Sequence, residues 1–466
     1  MKKRVLGRTG FEISAIGFGG YRIDDHDPDV EIYEQSLRDA LASGCNLIDT
    51  STNYGNGGSE RLIGTVLKQL FAAGPLKRSD VFVVSKAGYV QGENMKLARA
   101  RVKAGTPFPD MVEYSSECWH CISPEFLREQ LDLSLARLEL TKLDVLLLHN
   151  PEYFLNSGGE HSEYYARIRR AFEYLETEVE RGRISYYGIS SNTFGTDASE
   201  KDFTSLEEVI KIAESIRSDH HFAVIQFPLN LLEPGAVTTA NNSGKSVTDL
   251  AREKKIGTLV NRPLNAFRPV GGVKQLLRLA DFPFHEHIDV TTVLRSALDT
   301  ALELEVHFPD KDIVPTGRVA WAHVIRENFS TMKDLDQWKQ ILRWQIQPTL
   351  QTAMAHLEKT KSANWGADYL RAMEKLFRSF TQYLEAEAAI ESRSFSSMLH
   401  RVSEELRSSP TLSQKALRTY LSCPGIDCVL VGMRTPKYVR DAMNVLKSEP
   451  IAADQAKTAF AEAKHV

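Results

Sequence analysis

Asp49, Tyr54, Lys86 and His149 are the side chains of this chain that could together move a proton. Asp49 and Tyr54 lie in Leu47-Ile48-Asp49-Thr50-Ser51-Thr52-Asn53-Tyr54-Gly55, where a short apolar stretch runs into a polar, glycine-ended loop. Alone, that pair reads as a turn cap and a packing ring. Lys86 ends the apolar run Val81-Phe82-Val83-Val84-Ser85, and His149 ends Leu143-Asp144-Val145-Leu146-Leu147-Leu148. Were these three runs parallel strands, their ends would meet at one mouth. A buried Asp49–Lys86 ion pair beside Tyr54 is then expected to favour the phenolate and lower the phenol's pKa, with His149 holding a substrate oxygen. That set can protonate a carbonyl oxygen while hydride arrives from elsewhere.

The elements that would position these groups alternate. Gly7 to Ser14, with turn glycines between short apolar runs, predicts an N-terminal hairpin. Strands are then expected to begin near residues 15, 47, 81, 143, 186, 223, 257 and 428, each followed by helical sequence. Ser123-Pro124 is a strong helix start, a capping serine before proline at the first helical position. Eight such units are what a (β/α)8 TIM barrel of the α/β class requires. No G-x-G-x-x-G follows the first strand, which argues against an open doubly wound sheet.

From Leu264 to Pro410 no strand is evident and the sequence turns helical, at Val293–Leu304, Val319–Leu357 and Tyr369–Ile390. The expected organisation is a barrel of residues 1–263 and 411–466 with a helical insertion, 264–410, between strands 7 and 8. That insertion must bury its apolar stripes over the barrel mouth or against another subunit, as in a homo-oligomer. Pro348 should kink or split its middle helix, and Trp321, Trp338, Trp344 and Trp365 are expected in its core. Pro436 is expected to open the final helix.

Composition excludes other classes. With 25% charged residues and a formal net charge of −4, there is no basic field to attract nucleic acid. No window reaches the apolar length of a membrane span, and the basic N-terminus lacks an apolar segment behind it. Five cysteines, an odd number, fit a reducing compartment, so a cytoplasmic protein is expected. Cys118-Trp119-His120-Cys121 is a C-x-x-C without a second such pair; packing is expected of it rather than redox chemistry or metal binding, and no metal site is assigned.

The motifs taken together strongly resemble the aldo-keto reductase family. They are Gly17-Phe18-Gly19-Gly20, Ile48 to Gly55, Ser85-Lys86, Leu143 to His149, Gly182-Arg183-Ile184 with Gly188-Ile189-Ser190-Ser191-Asn192, Gln226 to Leu232, and Val431-Gly432-Met433-Arg434-Thr435-Pro436. The resemblance implies an NADP(H)-dependent oxidoreductase, NAD(H) remaining an alternative, acting on an aldehyde, ketone, alcohol or sugar. Tyr54 would be the general acid, Asp49 and Lys86 its tuning pair and His149 the orienter of the carbonyl. Ser191, Asn192 and Gln226 would hold the nicotinamide carboxamide, Asp24 would line the mouth, and Gly432, Arg434 and Lys437 would meet the cofactor phosphates. Asn261 stands where the family often stacks an aromatic on the nicotinamide, and Tyr438 and Ala442 stand where Gln and Asn often contact the adenosine. The long insertion and these departures leave a second expectation: a nicotinamide-binding regulatory or scaffold subunit whose insertion binds a partner. Tyr89, Phe108, Tyr114, Trp119, Tyr153 and Phe154, in the long loops after strands 3 and 4, are the candidate pocket walls.

Overall fold

The structure, a computed structural model, describes residues 3–270, 273–283, 289–309, 314 and 316–466. The remaining parts of the expected 264–410 insertion lie outside the described residues.

Fifteen strands occur among the described residues. In chain order they are β1 (Lys3–Val5), β2 (Glu12–Ser14), β3 (Ile16–Gly19), β4 (Leu47–Asp49), β5 (Phe82–Ala87), β6 (Tyr89–Val90), β7 (Val112–Ser115), β8 (Cys118–His120), β9 (Leu143–His149), β10 (Ile184–Ser190), β11 (Phe222–Pro228), β12 (Gly257–Asn261), β13 (Asn265–Val270), β14 (Val273–Arg278) and β15 (Cys428–Val431). The strands β3, β4, β5, β9, β10, β11, β12 and β15 close into a parallel barrel in sequence order. This is the (β/α)8 fold, whose functional groups gather at the C-terminal strand ends.

Apolar alternation explains why these runs are strands. Leu47, Phe82, Val84, Val145, Leu147, Val224, Leu259 and Leu430 share one core cluster, and the β1–β2 hairpin sends Leu6 and Ile13 into it. Gly188 allows the closure: a Cβ there would lie 1.7 Å from the Val224 carbonyl oxygen, at a register shift between β10 and β11. Ser123 caps the helix Pro124–Leu138 by accepting from the Phe126 N–H, with proline in the first turn.

The chain divides into two compact units, Met1–Ala266 with Leu399–His465, and Phe267–Met398 with Val466. The second is largely helical, built on Val290–Val306, Trp321–Asn328, Leu335–Ile341, Gln347–Leu357 and the 40-residue helix Ala363–Val402, which begins in it. Its core gathers Trp338, Leu350, Tyr369, Met373, Leu376 and Phe380.

Several expectations need correction. The stretch after Leu264 is not free of strands, since β13 and β14 pair as a two-stranded sheet. Pro348 does interrupt the middle helix as expected: Leu335–Ile341 runs into a π-helical turn, Leu342–Ile346, and the α-helix resumes as Gln347–Leu357 with the proline in its first turn, where the missing N–H costs little. A further start lies upstream, where Asp334 caps Leu335–Ile341 by accepting from both the Asp336 and Gln337 N–H groups. Trp344 lies on the π turn and is 61% exposed, outside the core. Gly88 to Ile122 is not a plain loop but holds a helix, Gly92–Lys103, and the antiparallel sheet β6–β8–β7. The helix opened by Pro436 is followed by one more, Ala453–Ala463.

Candidate active site

Three neighbouring strand ends bring the four candidate groups together. Asp49 ends β4, Lys86 lies near the end of β5 and His149 ends β9, all buried; Tyr54 follows β4 and is half-buried. Lys86 Nζ is 2.8 Å from both Asp49 carboxylate oxygens and also donates to the Thr50 carbonyl at 2.7 Å. It lies 4.8 Å from the Tyr54 ring centroid. The His149 ring meets the Tyr54 ring edge-on at 6.0 Å, and the Tyr21 ring packs against Tyr54 at 5.2 Å.

Burial governs the electrostatics. It pushes the Asp49 carboxyl up and the Lys86 ammonium down, each opposed by attraction to the other. Burial drives the His149 imidazole well below its usual range, helped by the Lys86 charge, so the ring is neutral. Tyr54 corrects the expectation of an acidified phenol: burial, and then the Asp49 carboxylate, push it well above its ordinary value. Lys86 spends its hydrogen bonds on Asp49 and Thr50 and lies over the Tyr54 ring, 4.8 Å from its centroid. The phenol is therefore held protonated, ready to donate rather than to ionise.

Two residues absent from the sequence reading fix His149. Ser51 Oγ lies 3.0 Å from His149 Nδ1, setting the ring's orientation, and His120 Nε2 donates to the His149 carbonyl at 2.7 Å. Gly88 makes room for this, since a Cβ there would lie 2.4 Å from that carbonyl oxygen. Ser51 was visible inside the Asp49–Tyr54 motif. His120 sat between the two cysteines, where only the β8 pairing with β6 brings it to His149. Both cysteines are free thiols, with Cys121 buried. Burial lowers His120 to about 4, so this imidazole too is neutral.

The other assigned residues fall into two sets. Ser191 and Gln226 are buried beside the proton site, whereas the Asn192 residue is exposed. Gln226 is already engaged: its Nε2 donates to Asp49 at 2.8 Å, and its Oε1 accepts from Ser190 and, at 3.3 Å, from Asn261. Asn261 Oδ1 is buried with no hydrogen-bond partner among the described residues. Asp24 is half-buried, accepts from the His26 N–H and borders Gly55 and Gly58. Beyond β15, Gly432 is exposed with open space where a Cβ would stand; Arg434 is half-buried and Lys437 exposed. They open the helix Pro436–Asn444, whose capping Thr435 accepts from the Tyr438 N–H. A glycine turn, an arginine and a helix N-terminus suit a phosphate, and an exposed asparagine amide suits a carboxamide, so this donor set fits a nicotinamide dinucleotide.

Of the candidate walls, Tyr89, Tyr114 and Tyr153 join an aromatic chain that reaches His149: Tyr114–Tyr153 at 4.8 Å, Tyr153–Tyr89 at 5.1 Å and Tyr89–His149 at 4.7 Å. Phe108 and Trp119 instead pack with Val90, Met95 and Phe126 behind the small sheet. Phe154 carries the Arg167 guanidinium over its ring at 3.8 Å.

A parallel eight-stranded barrel with Asp49, Lys86, His149 and Tyr54 gathered at its strand ends defines the class. The model of the aldo/keto reductase family matches residues 15–266, and the chain belongs to that family. It is similar to the putative voltage-gated potassium channel subunit beta of Schizosaccharomyces pombe, 29% identical over 188 residues, 40% of this chain and 44% of that protein. It is also similar to the L-galactose dehydrogenase of Arabidopsis thaliana, 32% identical over 189 residues, 40% of this chain and 47% of that protein. The chain thus spans less than half the length of these relatives. Among solved structures, the holo form of an aldo-keto reductase from Bacillus halodurans aligns at a TM-score of 0.50 and 16% identity, over 99% of this chain and 96% of that one. The glycerol dehydrogenase of Gluconobacter oxydans aligns at 0.51 and 17%, over 100% and 95%. At such identities the two structures speak for the fold alone. Among the described residues no helix is long and apolar enough to cross a membrane.

Proposed function

We propose that the chain is an NADP(H)-dependent oxidoreductase interconverting a small carbonyl compound and its alcohol, with Tyr54 as general acid and base. The observation that carries this is the Asp49–Lys86 pair packed against Tyr54 with His149 across the ring. The cofactor, when bound, supplies or accepts the hydride. Ser191 and Asn192 hold the nicotinamide end, and Gly432, Arg434 and Lys437 the phosphates; the cations at Arg434 and Lys437 favour NADP(H) over NAD(H). Tyr54 gives its hydroxyl proton to the carbonyl oxygen as charge develops there. His149, neutral, donates from Nε2 to the same oxygen in the tautomer whose Nδ1 accepts from the Ser51 hydroxyl, a hydroxyl that Asn53 Oδ1 also draws at 2.7 Å. Lys86 and Asp49 keep a compensating charge pair beside the phenolate that forms. The relatives named as reductases and dehydrogenases support the reaction type.

NADPH oxidation with a panel of aldehydes and ketones, and NADP reduction with alcohols and sugars, tests the reading. Tyr54→Phe is expected to lower kcat by about 10²–10⁴-fold while NADPH still binds. Turnover undiminished in that variant rejects the acid role.

A second reading, a cofactor-binding regulatory subunit, draws on the name of the Schizosaccharomyces pombe relative and on Trp344 and Ile390 of the second unit, 61% and 55% exposed. In that case the second unit binds a partner or a second copy. Tight NADPH binding with no turnover on any substrate class would favour it.

A further inference from the structure

Glu152 is a buried group with no part in the proton-transfer set. It follows β9 by three residues, in the turn Asn150-Pro151-Glu152 before the short helix Tyr153–Asn156, and is 2% exposed. Its Oε1 accepts from the backbone N–H of Asn192 at 2.8 Å, while its Oε2 is buried and, among the described residues, makes no hydrogen bond, with the Ser191 hydroxyl beside the carboxyl. A lone buried carboxylate oxygen is costly, and natural structures rarely keep one without a reason. Around it lie Ser191, Thr193, Thr204 and Tyr164, whose hydroxyls already bond to one another at 2.8 to 3.3 Å.

We propose that Glu152 is a positioning residue for the nicotinamide cofactor, its carboxyl bracing the Ser191–Asn192 turn from behind so that the Asn192 side chain is presented at the barrel mouth. This rests on the reading of Ser191 and Asn192 as cofactor contacts. The brace has two states. A protonated carboxyl keeps Oε1 as acceptor for the Asn192 N–H and turns Oε2 into a hydroxyl that can donate to its neighbour Ser191, leaving nothing unsatisfied. An ionised carboxylate leaves a buried charge without a counter-cation. Among the described residues the charged or titratable groups facing it are Asp202, Tyr89, Tyr153 and Tyr164, none of them a cation. The three phenols are pushed above their usual range and stay neutral. Burial raises the Glu152 carboxyl to about 7, so both states are populated near neutrality. Only the protonated carboxyl can hold the Asn192 N–H and donate to Ser191 at once, so the braced turn, and with it cofactor affinity, is lost as the pH rises through that value.

The test is the Kd of NADPH and of NADH, read by fluorescence from pH 6 to 8.5, for the full chain and for Glu152→Gln and Glu152→Ala. Glutamine reproduces the protonated carboxyl, an acceptor toward Asn192 with a donor in place of Oε2–H. The wild-type Kd is expected to rise with pH relative to Glu152→Gln, approaching tenfold per pH unit at the limit where only the protonated form binds. Glu152→Gln holds the tight, low-pH affinity across the range, and a folded Glu152→Ala binds several-fold more weakly throughout. Parallel pH profiles for wild type and Glu152→Gln overturn the proposal while leaving the proposed function standing. Failure of the wild-type chain to bind either cofactor at any pH overturns both.

Discussion

Asp49 in the barrel and Glu305 in the helical unit are both buried carboxylates, and they are satisfied in opposite ways. Glu305 accepts from the Ala322 and His323 N–H groups, the His323 ring and the Tyr369 hydroxyl. It ties the start of helix Trp321–Asn328 to helix Ala363–Val402, and its donors are mostly neutral. Asp49 is held by one cation, Lys86, and one amide, Gln226. A carboxylate saturated by backbone and hydroxyl donors is a structural post. One balanced by a buried cation creates a local field, which is useful beside a group that must change charge and hazardous if either partner is lost.

That contrast is most easily broken at Lys86. Lys86→Met leaves Asp49 buried and uncompensated and should cost about 3–5 kcal/mol of stability, measured by denaturant unfolding of the barrel. Lys86→Met combined with Asp49→Leu should recover most of the loss, because the charge then disappears with its partner. Equal losses in the single and double variants would mean that packing, not charge balance, holds the site.

His120 gives the next largest effect, and it depends on pH. Its folded pKa, about 4, lies below the ordinary histidine value, so on acidification the unfolded chain takes up a proton that the folded chain refuses. Stability is full above about 6.5 and drains as the pH falls toward 4, by about 3 kcal/mol for this one group. Glu152 works in the opposite sense, its folded pKa being raised, so the difference between wild type and His120→Asn isolates the histidine. A gap between the two unfolding curves that does not change with pH would contradict the buried neutral imidazole.

In the helical unit the matching change is Glu305→Ala. It strips the buried Ala322 N–H of its side-chain acceptor and leaves the Tyr369 hydroxyl only the Val319 carbonyl, and should cost about 2–3 kcal/mol in the unfolding of that unit. NADPH affinity should not change. A loss of cofactor binding would make Glu305 more than a post.

The barrel mouth was legible in the sequence and the helical unit only as a composition, for a physical reason. A strand end followed by a polar loop is a local signal, so Asp49, Lys86 and His149 could each be read from their own apolar runs. Barrel closure then does the converging. Ser51, His120 and Glu152 were missed because their roles are set by partners 98, 29 and 40 residues away. The expectation of a lowered phenol pKa fails for the same kind of reason: the sequence supplies the lysine, but in the fold its ammonium is spent on Asp49 and Thr50. In the helical unit the apolar stripes were plain, yet the β13–β14 pair carries no alternation and the π turn at Leu342–Ile346 depends on packing.

The smallest effect concerns two helix caps, one that could be read and one that could not. Ser123, the obvious cap by sequence, accepts from the Phe126 N–H at 3.4 Å, near the limit of a useful bond. Asp334, which no motif announced, accepts from Asp336 N at 2.8 Å and Gln337 N at 3.0 Å, and brings a negative charge to the positive end of the helix dipole. Asp334→Ala should therefore cost about 1–2 kcal/mol and Ser123→Ala about 0.5 kcal/mol, by unfolding of each variant. The ordering matters more than either value. If Ser123→Ala proves the costlier change, its contact with Cys121 Sγ at 3.2 Å would have to be supplying the difference, and the serine would belong to the packing behind the aromatic wall rather than to the helix it begins.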